Sequence, residues 1–150
     1  MEVRKSCFFH IVRDGRDCYC SALTHPNVPQ SKTPEKFAKY WRRWVSLYEK
    51  FLLDKRSYTI SYENFCRKPE KEISMIMDKL GLESEKNQMK GKEKSKYSEG
   101  SGEGTHKRLF EPIKPTSVGR WKHEMEYADV RHFEQIAGKT LDKFGYERFT

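Results

Sequence analysis

An α/β fold with a parallel sheet is predicted from three features of the sequence. Cys7 to Val12 is a short apolar run of strand length, rich in aromatic and β-branched residues, and Arg56 to Ser61 (RSYTIS) reads as a second short strand. Each run hands over to a segment with helical character. Between them, from Thr33 to Leu52, lies a long helical pattern, so the two strands are joined by helix, as parallel strands are.

The first strand opens the stretch CFFHIVRDGRDCYCS, residues 7–21. Its apolar run is broken only by His10, which suits a buried strand. Arg13-Asp14-Gly15-Arg16-Asp17 is then a turn with four charges, and a helix is expected from Cys18 to about Thr24. A strand that delivers a charged turn to a helix N-terminus is a place to hold an anion, because the first backbone N–H groups lack internal partners and the dipole is positive there. Arg13 adds a forked donor suited to phosphate oxygens. Ser21 lies four residues beyond Asp17, on the same helix face, where its hydroxyl can serve the same anion. A structural reading stands beside this one: Arg and Asp also tie turns together, and an acid near a helix start also caps it.

The later elements follow in order. Asn27 to Lys32 is a loop. Thr33-Pro34-Glu35 starts a helix with a capping hydroxyl, a proline at the first helical position and an acid. Phe37, Tyr40, Trp41, Trp44, Val45, Tyr48, Phe51 and Leu52 form its core-facing stripe. Strand 56–61 leads into Tyr62-Glu63-Asn64-Phe65, and an aromatic ring at that place can stack on a base. Pro69 starts a helix whose buried side is expected at Ile73, Ile76, Met77 and Leu80, with Gly81 as its stop. From about 83 to 108 lysine, glutamate, serine and glycine dominate, which predicts a mobile polar insertion. Val130, Phe133, Ala137, Leu141 and Phe144 mark a closing helix that stops at Gly145.

A chain of 150 residues is one domain by size. Its 9 Phe, 8 Tyr and 3 Trp argue against wholesale disorder. The formal net charge of +8 favours anionic partners, whether nucleotide, polyanion, nucleic acid or membrane surface, without choosing among them. Cys18 and Cys20 lack zinc-finger spacing and no histidine pair follows them, so free thiols, no metal and a reducing compartment are expected. No apolar run reaches the length of a membrane span.

The order apolar strand, then R-D-x-R-D-x-x-x-S, resembles the sulfotransferase family. Tyr62-Glu63-Asn64-Phe65 is similar to that family's Y-E-D-L element, with Asn64 and Phe65 in place of Asp and Leu. Gly119-x-Trp121 is similar to its Gly-x-Trp element near the C-terminus. The resemblance implies a P-loop NTPase-like three-layer fold. It implies sulfonate transfer from 3′-phosphoadenosine 5′-phosphosulfate (PAPS) to a hydroxyl or amine acceptor. Arg13 and Ser21 would hold the 3′-phosphate, and Tyr62 would contact the adenine. Where many members carry Arg-Lys-Gly, this chain has Lys114, Pro115 and Thr116, so Lys114, Ser117 and Arg120 are the candidates for the phosphate rim. The family's Lys-containing loop for the 5′-phosphosulfate has no counterpart here. The chain therefore resembles the C-terminal portion of the domain, and no catalytic base is nominated. A cytoplasmic location follows, or a Golgi lumen if an anchor has been removed. Two rivals remain open: a catalytically incomplete nucleotide- or polyanion-binding remnant, and a basic nucleic-acid-binding domain.

Overall fold

The computed structural model describes residues 6–25, 27–49, 51, 54–85 and 113–149. It divides into two compact units, residues 1–62 with 116–150, and residues 63–115.

The first unit holds the sheet. Strand β1 (Phe8–Val12) pairs in parallel with β2 (Ser57–Ser61), in a register that runs from Phe8 opposite Ser57 to Val12 opposite Ser61. Helices α1 (Gly15–Leu23) and α2 (Pro34–Glu49) connect the two strands. A short helix α5 (Trp121–Glu124) and the long α6 (Tyr127–Lys143) complete the unit; α3 (Tyr62–Arg67) and α4 (Pro69–Leu80) precede them in the chain. Val12, Tyr19, Ala22, Phe37, Ala38, Trp41, Val45, Phe133, Ala137 and Leu141 form one apolar core between β1, α1, α2 and α6. The α/β class with a small parallel sheet is as the sequence predicts.

Local chemistry accounts for most element ends. The Thr33 hydroxyl accepts the Lys36 N–H at 3.2 Å, with Pro34 at the first helical position of α2. Asp54 ties the turn before β2 to Arg56, and these contacts hold its carboxyl down at about 2. Gly145 ends the chain's last helix with φ +76°, a left-handed conformation that favours glycine.

Four expectations need correction. Strand β1 is not buried throughout: His10 and Val12 are buried, whereas Phe8 and Ile11 are exposed. Helix α1 starts at Gly15, not Cys18, because the Asp14 side chain accepts the Arg16 N–H at 2.9 Å and caps it there. The stripe on α2 is wider than its buried face: Phe37, Trp41 and Val45 are buried, whereas Tyr40, Trp44 and Phe51 are exposed. Positions 37, 41 and 45 turn toward the core, while Tyr40 and Trp44 pack edge-on against each other outside it. Leu52 lies outside the described residues. Strand β2 begins at Ser57, one residue late, since Arg56 is held in the preceding turn by Asp54.

The second unit carries α3 (Tyr62–Arg67), which starts in the first unit at Tyr62, and α4 (Pro69–Leu80). Gly81 stops α4 at φ +68°, its N–H returned to Asp78 and Met77 carbonyls. The expected buried side of α4 is not buried: Ile73, Ile76 and Met77 are half-buried and Leu80 is exposed. No residue of that helix is covered to core level by the described chain. Apart from residues 83–85, the insertion expected at about 83–108 lies outside the described residues.

Candidate nucleotide-phosphate site

The site grows out of the sheet register. Val12 faces Ser61 at the carboxyl end of the parallel pair, so the next residues, Arg13 and Tyr62, leave the sheet side by side. Ligands in open α/β sheets bind beyond this end of the strands. The Arg13 guanidinium carbon stands 4.6 Å from the centre of the Tyr62 ring. Its Nη2 donates to the Ser117 carbonyl oxygen at 2.6 Å. The Arg13 backbone is fixed from α2, where the Trp41 indole N–H donates to the Arg13 carbonyl at 3.2 Å. The Arg13 Nε–H is buried and has no hydrogen-bond partner. An unpaired buried donor on a cation is costly, and an acceptor, an anion among others, would satisfy it.

The other charges of the turn have structural jobs. Arg16 is 1% exposed and lies in ion pairs with Asp14 and Glu134, stacked 3.7 Å above the Trp121 ring. Asp17 accepts the backbone N–H of Gly119 at 2.7 Å and of Trp121 at 3.0 Å. Burial pushes the Asp17 carboxyl up, and the two N–H groups pull it partly back. The tie-and-cap reading thus applies to Asp14, Arg16 and Asp17, and the anion reading is left to Arg13. The N-terminus of α1 contributes less than expected, since its Arg16 N–H is taken by Asp14.

The sequence-predicted residues fall into three groups. Arg13 contacts both Tyr62 and Ser117, the latter at its carbonyl. Ser21 is half-buried on α1, one turn beyond Asp17 on the same helix face. Arg120 and Lys114 form the third group. The Arg120 guanidinium lies against Glu124, with Nε 2.8 Å from each carboxylate oxygen, and Lys114 is exposed and belongs to the second unit. One face of Tyr62 is covered by the guanidinium, a role that its position as an adenine contact did not suggest. Asp17 is the residue of the turn whose tethering contacts sequence reasoning missed. Its partners are backbone groups over 100 residues away, which no local motif reveals.

The tether requires glycine at 119. Gly119 has φ +75°, and an added Cβ would meet nothing within 4 Å. Gly119→Ala is therefore expected to cost about 1–2 kcal/mol from backbone strain alone. Urea unfolding checks this, and an unchanged midpoint would show that the turn relaxes.

Among the described residues no group of three or more His, Cys, Asp or Glu could hold a metal ion. The four cysteines are free, and burial pushes the Cys20 thiol up to about 11. Among those residues no helix is long and apolar enough to cross a membrane.

Comparison with known proteins gives this geometry a context. Residues 3–86, more than half of the chain, match a model described as the sulfotransferase family. The match contains β1, Arg13, Ser21, β2 and Tyr62. The structure is similar to the sulfotransferase domain from the Synechococcus PCC 7002 olefin synthase. The TM-score is 0.67 at 18% identity, over 94% of this chain and 50% of that one. At that identity the likeness is one of fold, and the chain spans half the length of the domain it matches. No curated protein sequence matches the chain. The strand, the charged turn and the paired Arg13 and Tyr62 are thus features of a chain that belongs to the sulfotransferase family.

Proposed function

We propose that the chain is the C-terminal portion of a P-loop-like sulfotransferase domain that binds PAPS and takes part in sulfonate transfer to a hydroxyl or amine acceptor. Arg13 and Ser21 hold the 3′-phosphate of the nucleotide. Tyr62 meets the adenine with the part of its ring that Arg13 does not cover. Ser117 sets the rim through its carbonyl, with Arg120 as an outer cation. The reaction needs no metal.

The observation that carries the proposal is the Arg13 guanidinium. It is held at the carboxyl end of a parallel sheet by Tyr62 and Ser117 and keeps a buried Nε–H without a partner. In sulfonate transfer the nucleotide leaves as a dianionic phosphate, and cations that hold the donor also favour its departure. Arg13 serves the first part of that task, orienting the donor from its ribose phosphate.

Calorimetric titration with PAP, the desulfonated nucleotide, tests the reading. The wild-type chain is expected to bind PAP, and Arg13→Ala is expected to lose binding while its circular dichroism stays native. Equal PAP affinity in the folded variant would remove Arg13 from the site. Assay with labelled PAPS and a panel of acceptors separates an active transferase from a remnant that binds without transfer. Steeply salt-dependent RNA binding that PAP does not compete away would point to the nucleic-acid alternative.

A further inference from the structure

We propose that Asp17 is a positioning residue for the proposed nucleotide site: it tethers the segment 117–121 to α1 so that the Ser117 carbonyl holds Arg13 in place. The inference rests on the reading of Arg13 as the phosphate ligand. The tether is a continuous series of contacts. Asp17, 1% exposed, takes the Gly119 N–H on Oδ2 and the Trp121 N–H on Oδ1. Two residues before Gly119, the Ser117 carbonyl accepts Arg13 Nη2 at 2.6 Å. The guanidinium so held lies over Tyr62. Trp121, at the far end of the segment, is buried and stacks on the Arg16 guanidinium, so the segment is pinned from both sides.

The chemistry explains why an acid stands there. Two converging backbone donors need two acceptors on one small side chain. A carboxylate has both, whereas an amide has one acceptor and turns an NH2 group toward the other donor. A buried carboxylate carries a desolvation cost that a residue needed only for helix capping at a surface would avoid. Gly119 supplies the matching backbone: its φ of +75° belongs to the left-handed region, which glycine enters without a Cβ penalty. Loss of either acceptor leaves segment 117–121 free to shift, and the Arg13 guanidinium with it.

The test uses the full chain, Asp17→Asn, and Gly119→Ala as a second variant that disturbs the same tether from the donor side. Two readouts are taken. The first is the Arg13 Nε–H resonance in the unliganded protein, assigned by its loss in Arg13→Lys. The Tyr62 ring is expected to shift this resonance in the wild type, and the resonance is expected to move toward the free-arginine position in either variant. The second is PAP affinity, expected to weaken roughly ten- to hundredfold in Asp17→Asn, the scale of a charge-assisted hydrogen bond. A purely structural role lowers the unfolding midpoint and moves neither readout in the folded variant. An Arg13 resonance unchanged in a folded variant overturns the inference. A wild type that does not bind PAP overturns the proposed function instead, and the Arg13 resonance still decides the role of Asp17. If Asp17→Asn does not fold, Gly119→Ala gives the same decision.

Discussion

Replacing Arg16 with alanine is expected to destabilise the protein by about 3–5 kcal/mol, the usual result of removing one partner from a buried ion pair. Arg16 donates from Nε and Nη2 to Asp14, at 3.0 and 2.7 Å, and from Nη1 to Glu134 at 2.5 Å. Its Nη2 also reaches the Glu147 carbonyl at 2.9 Å. Without the guanidinium, the buried carboxylates of Asp14 and Glu134 lose the cation that bridges them, and the Trp121 ring loses the group it stacks on. The loss also reaches the chain end, because Glu134 accepts the Phe149 N–H. Against a total stability of about 5–15 kcal/mol for a domain, the variant approaches unfolding. Urea unfolding of Arg16→Ala measures the loss. A cost under about 1 kcal/mol, the range of exposed pairs, would contradict the buried network.

Gly15→Ala is the second large effect. A Cβ at Gly15 would lie 2.5 Å from Trp41 Cδ2 and 2.8 Å from Phe133 Cζ, inside the van der Waals surfaces of two buried rings. Overpacking of this kind costs about 1–3 kcal/mol. The helix propensity of alanine opposes it by at most about 1 kcal/mol, less at a helix's first position. The expected result is a net fall in the thermal midpoint. Trp41 also fixes the Arg13 carbonyl through its indole N–H, so displacement of the ring moves the site. PAP binding is therefore expected to weaken together with stability. A raised midpoint would show that the rings yield and the propensity gain prevails.

Both predictions concern residues that the sequence left undecided, for one physical reason. In the charged turn at 13–17, Asp14, Arg16 and Asp17 read alike from the chain. Which of them is buried depends on Glu134, 118 residues from Arg16, and on backbone donors at Gly119 and Trp121. Elements set by local signals were legible: the apolar run of β1, the Thr33-Pro34 start of α2, the stop at Gly81 and the apolar spacing of α6. The start of α1 was not, because Gly15 reads as a turn residue until Asp14 is seen to cap it. Burial was legible only where the far side of the contact is also local. Tyr40 and Trp44 continue the helical spacing of Phe37 and Trp41, yet they lie outside the core. In the site, Arg13 was legible from its place at a strand end. The tertiary partners that hold it, the Tyr62 ring face and the Ser117 carbonyl, follow from the register of β1 with β2 and from the return of segment 117–121.

The central claim is that Arg13 meets the phosphate on the ribose 3′ position. Phosphorus NMR of PAP resolves its 3′- and 5′-phosphates, so a titration into the wild type and into folded Arg13→Ala addresses the contact itself. The account predicts that the 3′-phosphate resonance shifts with the wild type and that this shift is lost in the variant. A 3′ resonance that shifts equally with both proteins, or one that the wild type leaves unmoved while the 5′ resonance responds, would contradict it.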